Sequence, residues 1–110
     1  MDTLKVLGQV APAAMTLTDL YTAPCQVVVS SIIICNRGGS DTTFRLAVSP
    51  GGASIADKHY LYYNTRIPGS ETLAAQIGVT LGAGDKLRVR AENSMLSFSA
   101  FGIEVTSSHP

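Results

Sequence analysis

The stretch Cys25-Gln-Val-Val-Val-Ser-Ser-Ile-Ile-Ile-Cys35 decides the fold of this chain. Most of its residues are β-branched, and such residues favour strands. Strict alternation along a strand puts Val27, Val29, Ser31, Ile33 and Cys35 on one face and Val28, Ser30, Ile32 and Ile34 on the other. Both faces are apolar, whereas a half-solvated strand alternates apolar and polar residues. The pattern therefore predicts cover on both sides, by the core of its own domain and by another subunit.

Composition limits the classes of function. A length of 110 residues predicts one domain, residues 1–110, with one hydrophobic core. Charged residues are only 15% of the chain, against about a quarter in typical proteins. Eight basic residues balance eight acidic ones, and this absence of a basic excess argues against a nucleic-acid partner. Sparse charge predicts a protein that lives in an assembly.

Targeting signals are not visible in the sequence. The segment Met1–Lys5 has neither the basic start nor the apolar run of a signal peptide. No stretch reaches the roughly 18–20 apolar residues of a membrane span. We therefore expect synthesis in the cytoplasm and no membrane partner.

Turn signals recur at short intervals, which is typical of an all-β sandwich or barrel. Examples are Pro50-Gly-Gly52, Ile67-Pro-Gly-Ser70 and Gly82-Ala-Gly-Asp85. The segments between the turns predict eight strands, near Lys5–Val10, Leu17–Tyr21, Gln26–Cys35, Thr42–Ser49, His59–Thr65, Thr72–Leu81, Lys86–Ala91 and Met95–Val105. About eight antiparallel strands in one chain favour a single β-sandwich with jelly-roll-like connections. An immunoglobulin-like sandwich is the alternative, although the chain has no Trp and the wrong cysteine spacing.

The last predicted strand changes phase along its length. Leu96, Phe98 and Ala100 share one parity, and the apolar residues after them share the other. A bulge or bend near Ala100-Phe101-Gly102 would reconcile the two halves, and glycine commonly marks such a site.

Cys25 and Cys35 stand at the two ends of the deciding strand. Ten residues at ~3.3 Å each separate them by roughly 33 Å, whereas a disulfide needs Cα atoms within about 7 Å. They are therefore predicted not to bond each other. Two interpretations stay open, namely two reduced, buried thiols or a disulfide to another subunit. Cys25 is the better candidate for an inter-subunit bond because it lies beside a turn, at the end of the strand, and is expected to be closer to the surface.

No pattern in the sequence predicts an active site. His59 has no partner nucleophile nearby in the sequence, and the carboxylates are scattered among turns. The spacings of common zinc motifs are missing. We therefore expect neither catalysis, nor a cofactor, nor a bound metal.

Tyr60, Tyr62 and Tyr63 form the main aromatic concentration. They are interpreted either as a sugar-stacking or protein-contact surface or as ordinary strand packing. Arg88 and Arg90, like Arg45 and Arg66 elsewhere, suit ion pairs at an interface or a solvated strand face. The candidate interface residues are therefore Val28, Ile32, Ile34, Tyr60, Tyr62, Tyr63, Arg88 and Arg90.

Several segments together resemble small virion structural proteins of tailed bacteriophages. These segments are Met15–Pro24, Val27–Gly38, Thr42–Val48, Asp57–Tyr63 and Ile67–Leu73. The resemblance covers the chain from about Leu7 to about Glu104. The chain departs at Pro24-Cys-Gln26, where relatives carry a turn of the Pro-Ala-Gly type, so Cys25 is a local addition.

The resemblance implies a non-enzymatic component of the virion, made in the cytoplasm of the host bacterium. Such a protein would decorate or cement the head, neck or tail and contact other capsid, neck or tail proteins. A homo-trimer is expected, since small β-sandwich proteins on phage heads are often trimers. The alternative is a glycan-binding adhesin module of a phage tail or fibre, which would stack sugars on the tyrosine cluster.

Overall fold

A computed structural model describes residues 3–105, which form nine strands and two short 3₁₀ turns. The strands are β1 Thr3–Val10, β2 Thr18–Thr22, β3 Val27–Asn36, β4 Thr42–Ser49, β5 Tyr60–Ile67, β6 Thr72–Ala75, β7 Val79–Leu81, β8 Lys86–Ala91 and β9 Leu96–Glu104. The 3₁₀ turns, Pro50–Gly52 and Asp57–His59, lie between β4 and β5. This part of the chain contains no helix long and apolar enough to cross a membrane.

The strands form two antiparallel sheets. One has the order β1-β9-β3-β6, with β7 also paired to β3, and the other has the order β2-β8-β4-β5. The first four strands pair with the later ones in reverse order: β1 with β9, β2 with β8, β3 with β6 and β7, and β4 with β5. Such nested pairing describes one long hairpin rolled into two sheets, which is the jelly-roll arrangement. The predicted jelly-roll β-sandwich is therefore confirmed.

The predicted strand Thr72–Leu81 is two strands in the structure. β6 pairs with the second half of β3, along Ile32–Cys35, and β7 pairs with its first half, along Val27–Val29. The interruption lies opposite Ser30 and Ser31, where β3 is itself irregular. Residues 3–105 therefore contain nine strands instead of the predicted eight or so.

Strand β3 contains a bulge at Ser30. Its pairing with β9 shifts between Val29 and Ser31, so Ser30 has no partner in the ladder. The Ser30 hydroxyl donates a hydrogen bond of 3.2 Å to the backbone oxygen of Phe101. One extra residue reverses the alternation of every side chain beyond it.

The bulge changes which residues of β3 face the core. Val27 and Val29 before it, and Ile32 and Ile34 after it, are all 0% exposed. Val28 points to the opposite face and is 38% exposed. The prediction that Ile32 and Ile34 share an outer face with Val28 is therefore wrong. Both isoleucines belong to the core of their own subunit and are not available to a neighbour.

Strand β9 keeps its phase, contrary to the prediction for Ala100-Phe101-Gly102. Its side chains alternate from Leu96 through Gly102, and the irregularities lie on the adjacent strands, at Leu7 of β1 and Ser30 of β3. A Cβ atom on Gly102 would approach Cα of Val29 at 2.9 Å. Glycine therefore allows β3 to pass closely at the bulge instead of bending β9.

The hydrophobic core lies between the two sheets. Phe44 of β4 and Phe98 of β9 meet there edge to face, with ring centroids 6.0 Å apart. The largest fully buried side chains are Phe44, Phe98, Ile32, Ile34, Leu46, Ile67, Leu81, Leu87, Leu96, Val27, Val29 and Val89. Burial of each stabilises the fold by roughly 1.5–3 kcal/mol relative to exposure.

Asn36 at the end of β3 joins two loops. Its Nδ2 donates hydrogen bonds to the backbone oxygens of Ser40, Ile67 and Pro68, at 2.9, 3.2 and 3.1 Å. Its Oδ1 accepts one of 3.0 Å from the backbone N–H of Gly38. Since Asn36 is only 1% exposed, these bonds satisfy a buried amide and fix the β3–β4 loop against the β5–β6 turn.

Candidate interaction surfaces

The outer face of the five-stranded sheet carries no charge. We call it the uncharged face. Leu4, Ile103 and Val28 lie side by side across β1, β9 and β3, and Val6 and Phe101 form the next row. The other outward positions are Gln9, Ser30, Ser31, Ile33, Cys35, Thr72, Ala74, Thr80, Ser97 and Ser99. No Asp, Glu, Lys or Arg points outward from the ladders of this sheet within residues 3–105.

The outer face of the four-stranded sheet has the opposite character. We call it the charged face. Its basic residues are Arg45, Arg66, Lys86, Arg88 and Arg90, and its acidic residues are Asp19, Asp41 and Glu92. Five of the eight basic residues of the chain therefore stand on one face. The net charge of zero conceals a strong difference between the two sides of the sandwich.

Arg88, a predicted interface residue, is largely engaged within its own chain. Its Nε donates to Oδ1 of Asp19 at 3.0 Å, and its Nη1 donates to the backbone oxygen of Ala53 at 3.1 Å. Lys86 donates to the other oxygen of Asp19 at 2.8 Å. The hydrogen bond from Lys86, together with the nearby Arg88, lowers the pKa of the Asp19 carboxyl. These contacts hold the loop after β4 against β8.

Arg90 lies further along β8, and its side chain has fewer contacts within the chain than that of Arg88. Its nearest carboxylate is that of Glu92, 3.9 Å from Nη1. Across the β4–β8 ladder it stands directly opposite Arg45. The structure thus gives Arg88 an internal role and leaves Arg90 beside a second guanidinium. A role of either residue in contacts between subunits stays a prediction.

The tyrosine cluster divides between the two sides of β5. Two irregularities, at Leu61 and at Tyr63–Asn64, change the alternation of this strand. Tyr62 points inward and packs on Phe44, with ring centroids 5.7 Å apart. Tyr60 and Tyr63 point outward and meet edge to face at 4.9 Å. The predicted three-tyrosine surface is therefore a two-tyrosine surface, which lines a shallow depression with Asp57.

Arg45 is the residue whose surroundings the sequence did not predict. Its guanidinium carbon lies 4.1 Å from the ring centroid of Tyr63, within the range of a cation–π contact. Its Nε donates a hydrogen bond of 2.8 Å to Oδ1 of Asn64. In the sequence, Arg45 stands between the apolar residues Phe44 and Leu46 of β4. This alternation indicated only that its side chain points outward. Its partners are 18 and 19 residues away and become neighbours through the bulge in β5.

His59 has a structural role. It is 8% exposed, and its Nδ1 accepts a hydrogen bond of 3.1 Å from the backbone N–H of Ala56. The backbone N–H of His59 donates in turn to the backbone oxygen of Ala56 at 3.0 Å. Among residues 3–105 we find no group of three or more His, Cys, Asp or Glu residues placed to hold a metal ion.

Both cysteines are free thiols and both are partly buried. Cys25, in the loop before β3, packs against the hydrophobic core, whereas Cys35 points outward on the uncharged face. The expectation that Cys25 lies closer to the surface therefore receives no support. A disulfide from either thiol to another subunit stays a prediction.

The nested pairing of two antiparallel sheets defines this chain as a jelly-roll β-sandwich. Two solved structures, both of a pentameric capsid protein isolated from metagenomic phage sequences, are similar to it. Each has a TM-score of 0.50 and 15% sequence identity over 91% of this chain. The match spans 62% and 60% of those capsid chains, which are therefore longer than this one. At this identity the similarity shows the fold. No family model and no curated protein matches the sequence.

Proposed function

We propose that this chain is a non-enzymatic structural protein of a phage virion, which decorates or cements the head, neck or tail. The observation that carries the proposal is the uncharged face on a jelly roll similar to a phage capsid protein. Leu4 is 68% exposed, Val6 48% and Val28 38%, and all three point outward on this face, the first two from β1 and Val28 from β3, with β9 between them. Large apolar side chains grouped on a surface favour contact with another protein.

The two faces differ in what their burial would cost. Covering the uncharged face removes apolar groups and hydroxyls from water, and the apolar part gains about 25 cal/mol per Å². Covering the charged face would desolvate ion pairs such as Arg88–Asp19, and the loss of hydration often exceeds the attraction between the charges. We therefore propose that the neighbouring subunit or virion protein contacts the uncharged face.

The assembly is proposed to be a homo-trimer that contacts capsid, neck or tail proteins in the virion. The capsid proteins of similar fold are pentameric, so the number of subunits is the quantity to measure. Native mass spectrometry of the purified protein is expected to give three times the mass of one chain. Five copies would contradict the trimer and leave assembly intact, whereas a monomer at every concentration would contradict assembly itself.

Location in the particle is tested separately. Mass spectrometry of purified virions is expected to detect peptides of this chain at a constant ratio to the major capsid protein. Their absence from intact virions, despite synthesis in infected cells, would overturn the structural role. A glycan array with the purified protein addresses the alternative adhesin role, for which the outward-pointing Tyr60 and Tyr63 are the relevant side chains.

A further inference from the structure

Arg45 on the charged face is held by two contacts while most of its donors stay unused. Tyr63 covers the guanidinium at 4.1 Å, and Asn64 accepts the hydrogen bond from Nε. A guanidinium has five N–H donors, of which this arrangement uses one. Within the described part of the chain, no carboxylate lies within 4.0 Å of Arg45, and neither Nη1 nor Nη2 has a hydrogen-bond partner. The four remaining donors are therefore positioned in advance for an external acceptor.

Arg90 adds a second positive charge at the same place. It is the direct cross-strand neighbour of Arg45, and such neighbours have Cβ atoms about 5 Å apart. Like charges in this position destabilise a sheet. Arg90 is only weakly compensated, since Glu92 is 3.9 Å away and is itself half exposed. An anion between the two guanidinium groups would relieve their repulsion.

The two arginines line one open groove. Two carboxylates, those of Asp41 and Glu92, line it as well. The carboxylates of the groove already have partners: Asp41 is bonded by Arg66 and by the backbone N–H of Gly69, and Glu92 lies near Arg90. Arg45 is thus left without a matching negative charge. One more carboxylate would balance the charge of Arg45 in the groove.

The other lining residues indicate what kind of carboxylate fits. Thr43, Asn64 and Asn93 are short polar side chains that pair well with hydroxyl groups, and Met15 is the large apolar residue of the groove. A protein segment usually binds through buried aromatic or aliphatic anchors, for which this groove offers little. A ligand rich in hydroxyls with one carboxylate per unit matches the lining better.

We propose that the Arg45–Arg90 groove binds the carboxylate of a hexuronic acid unit in an acidic polysaccharide. The unused donors of Arg45 take the carboxylate in a two-pronged arrangement, and Arg90 supplies further attraction. The polar residues of the groove contact the sugar hydroxyls. This binding activity is additional to the structural role and uses the opposite side of the sandwich, so either can fail without the other.

The test is a calorimetric titration of the purified full chain with tri-galacturonic acid. The matched ligand is the same trisaccharide with its carboxyl groups methyl-esterified, which keeps the sugar and removes the charge. Tri-glutamate serves as an acidic ligand without hydroxyl groups. The variants are R45Q and R90Q in the groove, R45K to keep the charge without the planar fork, and K58Q as a control at an exposed position of the 3₁₀ turn Asp57–His59, whose residues do not line the groove.

The native chain is expected to bind tri-galacturonic acid. Its affinity for the methyl ester and for tri-glutamate should be at least tenfold lower. R45Q and R45K should each weaken the binding of tri-galacturonic acid by roughly tenfold or more, R90Q by less, and K58Q not at all. Circular dichroism and melting of each variant verify folding. No binding of tri-galacturonic acid, equal binding of the ester, or full binding by R45Q would overturn the proposal. Equal binding of tri-glutamate would overturn the choice of a sugar.

Discussion

The hydroxyl of Tyr21 donates a hydrogen bond of 2.6 Å to Oε2 of Glu104 and so joins the two sheets at one edge of the sandwich. Tyr21 belongs to β2 and Glu104 ends β9. Nζ of Lys5 donates to the other carboxylate oxygen at 3.0 Å. The bond from Tyr21, then that from Lys5, lowers the pKa of Glu104. Burial, followed by the bond to Glu104, raises the pKa of the Tyr21 hydroxyl well above its usual range.

This contact predicts a dependence of stability on acid. A carboxyl with a lowered pKa in the folded state stabilises the fold above its unfolded pKa, and this contribution disappears as pH falls through the folded pKa. Protonation of Glu104 should therefore destabilise the protein progressively as the pH falls below about 4. Calorimetric melting between neutral pH and strong acid measures the effect.

The matched variant for this prediction is Glu104→Gln, which cannot titrate. It should melt lower than the native chain at neutral pH and lose less stability in acid. Part of the acid dependence should persist, because hydrogen bonds also lower the pKa of Asp19, Asp41 and Asp85. Parallel melting curves for the two proteins across the acid range would contradict the assigned role of Glu104.

Asn36 should be sensitive to a change that keeps its shape. Asn36→Asp replaces a donating amide by a carboxylate oxygen that faces the backbone oxygens of Ser40, Ile67 and Pro68. We expect a loss of about 3 kcal/mol or more in the free energy of unfolding, since buried groups lose their partners. Denaturant titration at neutral pH measures it.

Asn93→Asp is the control for this change. The side-chain oxygen of Asn93 accepts a hydrogen bond of 3.0 Å from the backbone N–H of Met95, and a carboxylate accepts the same bond. Its free energy of unfolding should stay within about 0.5 kcal/mol of the native value. Equal losses in the free energy of unfolding for both variants would show that the amide of Asn36 does not hold the two loops together.

Gly102 should resist even the smallest side chain. In Gly102→Ala the new methyl group would collide with the backbone of Val28 and Val29 at the bulge of β3. We expect a cost of about 2 kcal/mol, as for other overpacked sites. Gly78→Ala is the matched control, because no heavy atom lies within 4 Å of the position of its Cβ. If both variants melt alike, the close approach at Gly102 is wrong.

The uncharged face predicts a specific effect on assembly. Val28→Lys puts a charge in its apolar row and should weaken subunit association by roughly tenfold or more, as unpaired charges in an interface do. Leu61→Lys is the control, since Leu61 is similarly exposed, at 46%, but belongs to β5 in the other sheet. Analytical ultracentrifugation compares them. Association lost equally in both, or in Leu61→Lys alone, would move the interface elsewhere.

The cysteines give an independent test of the same face. Because Cys35 points outward there, a bond between subunits should pass through Cys35 instead of Cys25. Oxidised assemblies should show a ladder on non-reducing gels that collapses with reductant. Cys35→Ser should abolish the ladder, and Cys25→Ser should preserve it. Monomer bands alone under both conditions would refute an inter-subunit bond.

The sequence by itself determined the strands and the class of fold. Alternating apolar residues in β4 and β8, with glycine and proline at the turns, mark a strand wherever it later pairs, because these signals are local. A wide separation of Cys25 and Cys35 was predicted in the same way, from the ten residues of extended chain between them, and both are free thiols in the structure.

Only the tertiary structure decided which side chains face which way. A bulge forms where one of two paired strands has one residue more than its partner over the same stretch. The bulges at Ser30 and Leu61 could therefore not be predicted before the pairing partners of β3 and β5 were known. Each bulge reverses the alternation after it, which sent Ile32 and Tyr62 inward. The separation of an uncharged face from a charged one arises likewise, because strands distant in the sequence become neighbours in each sheet.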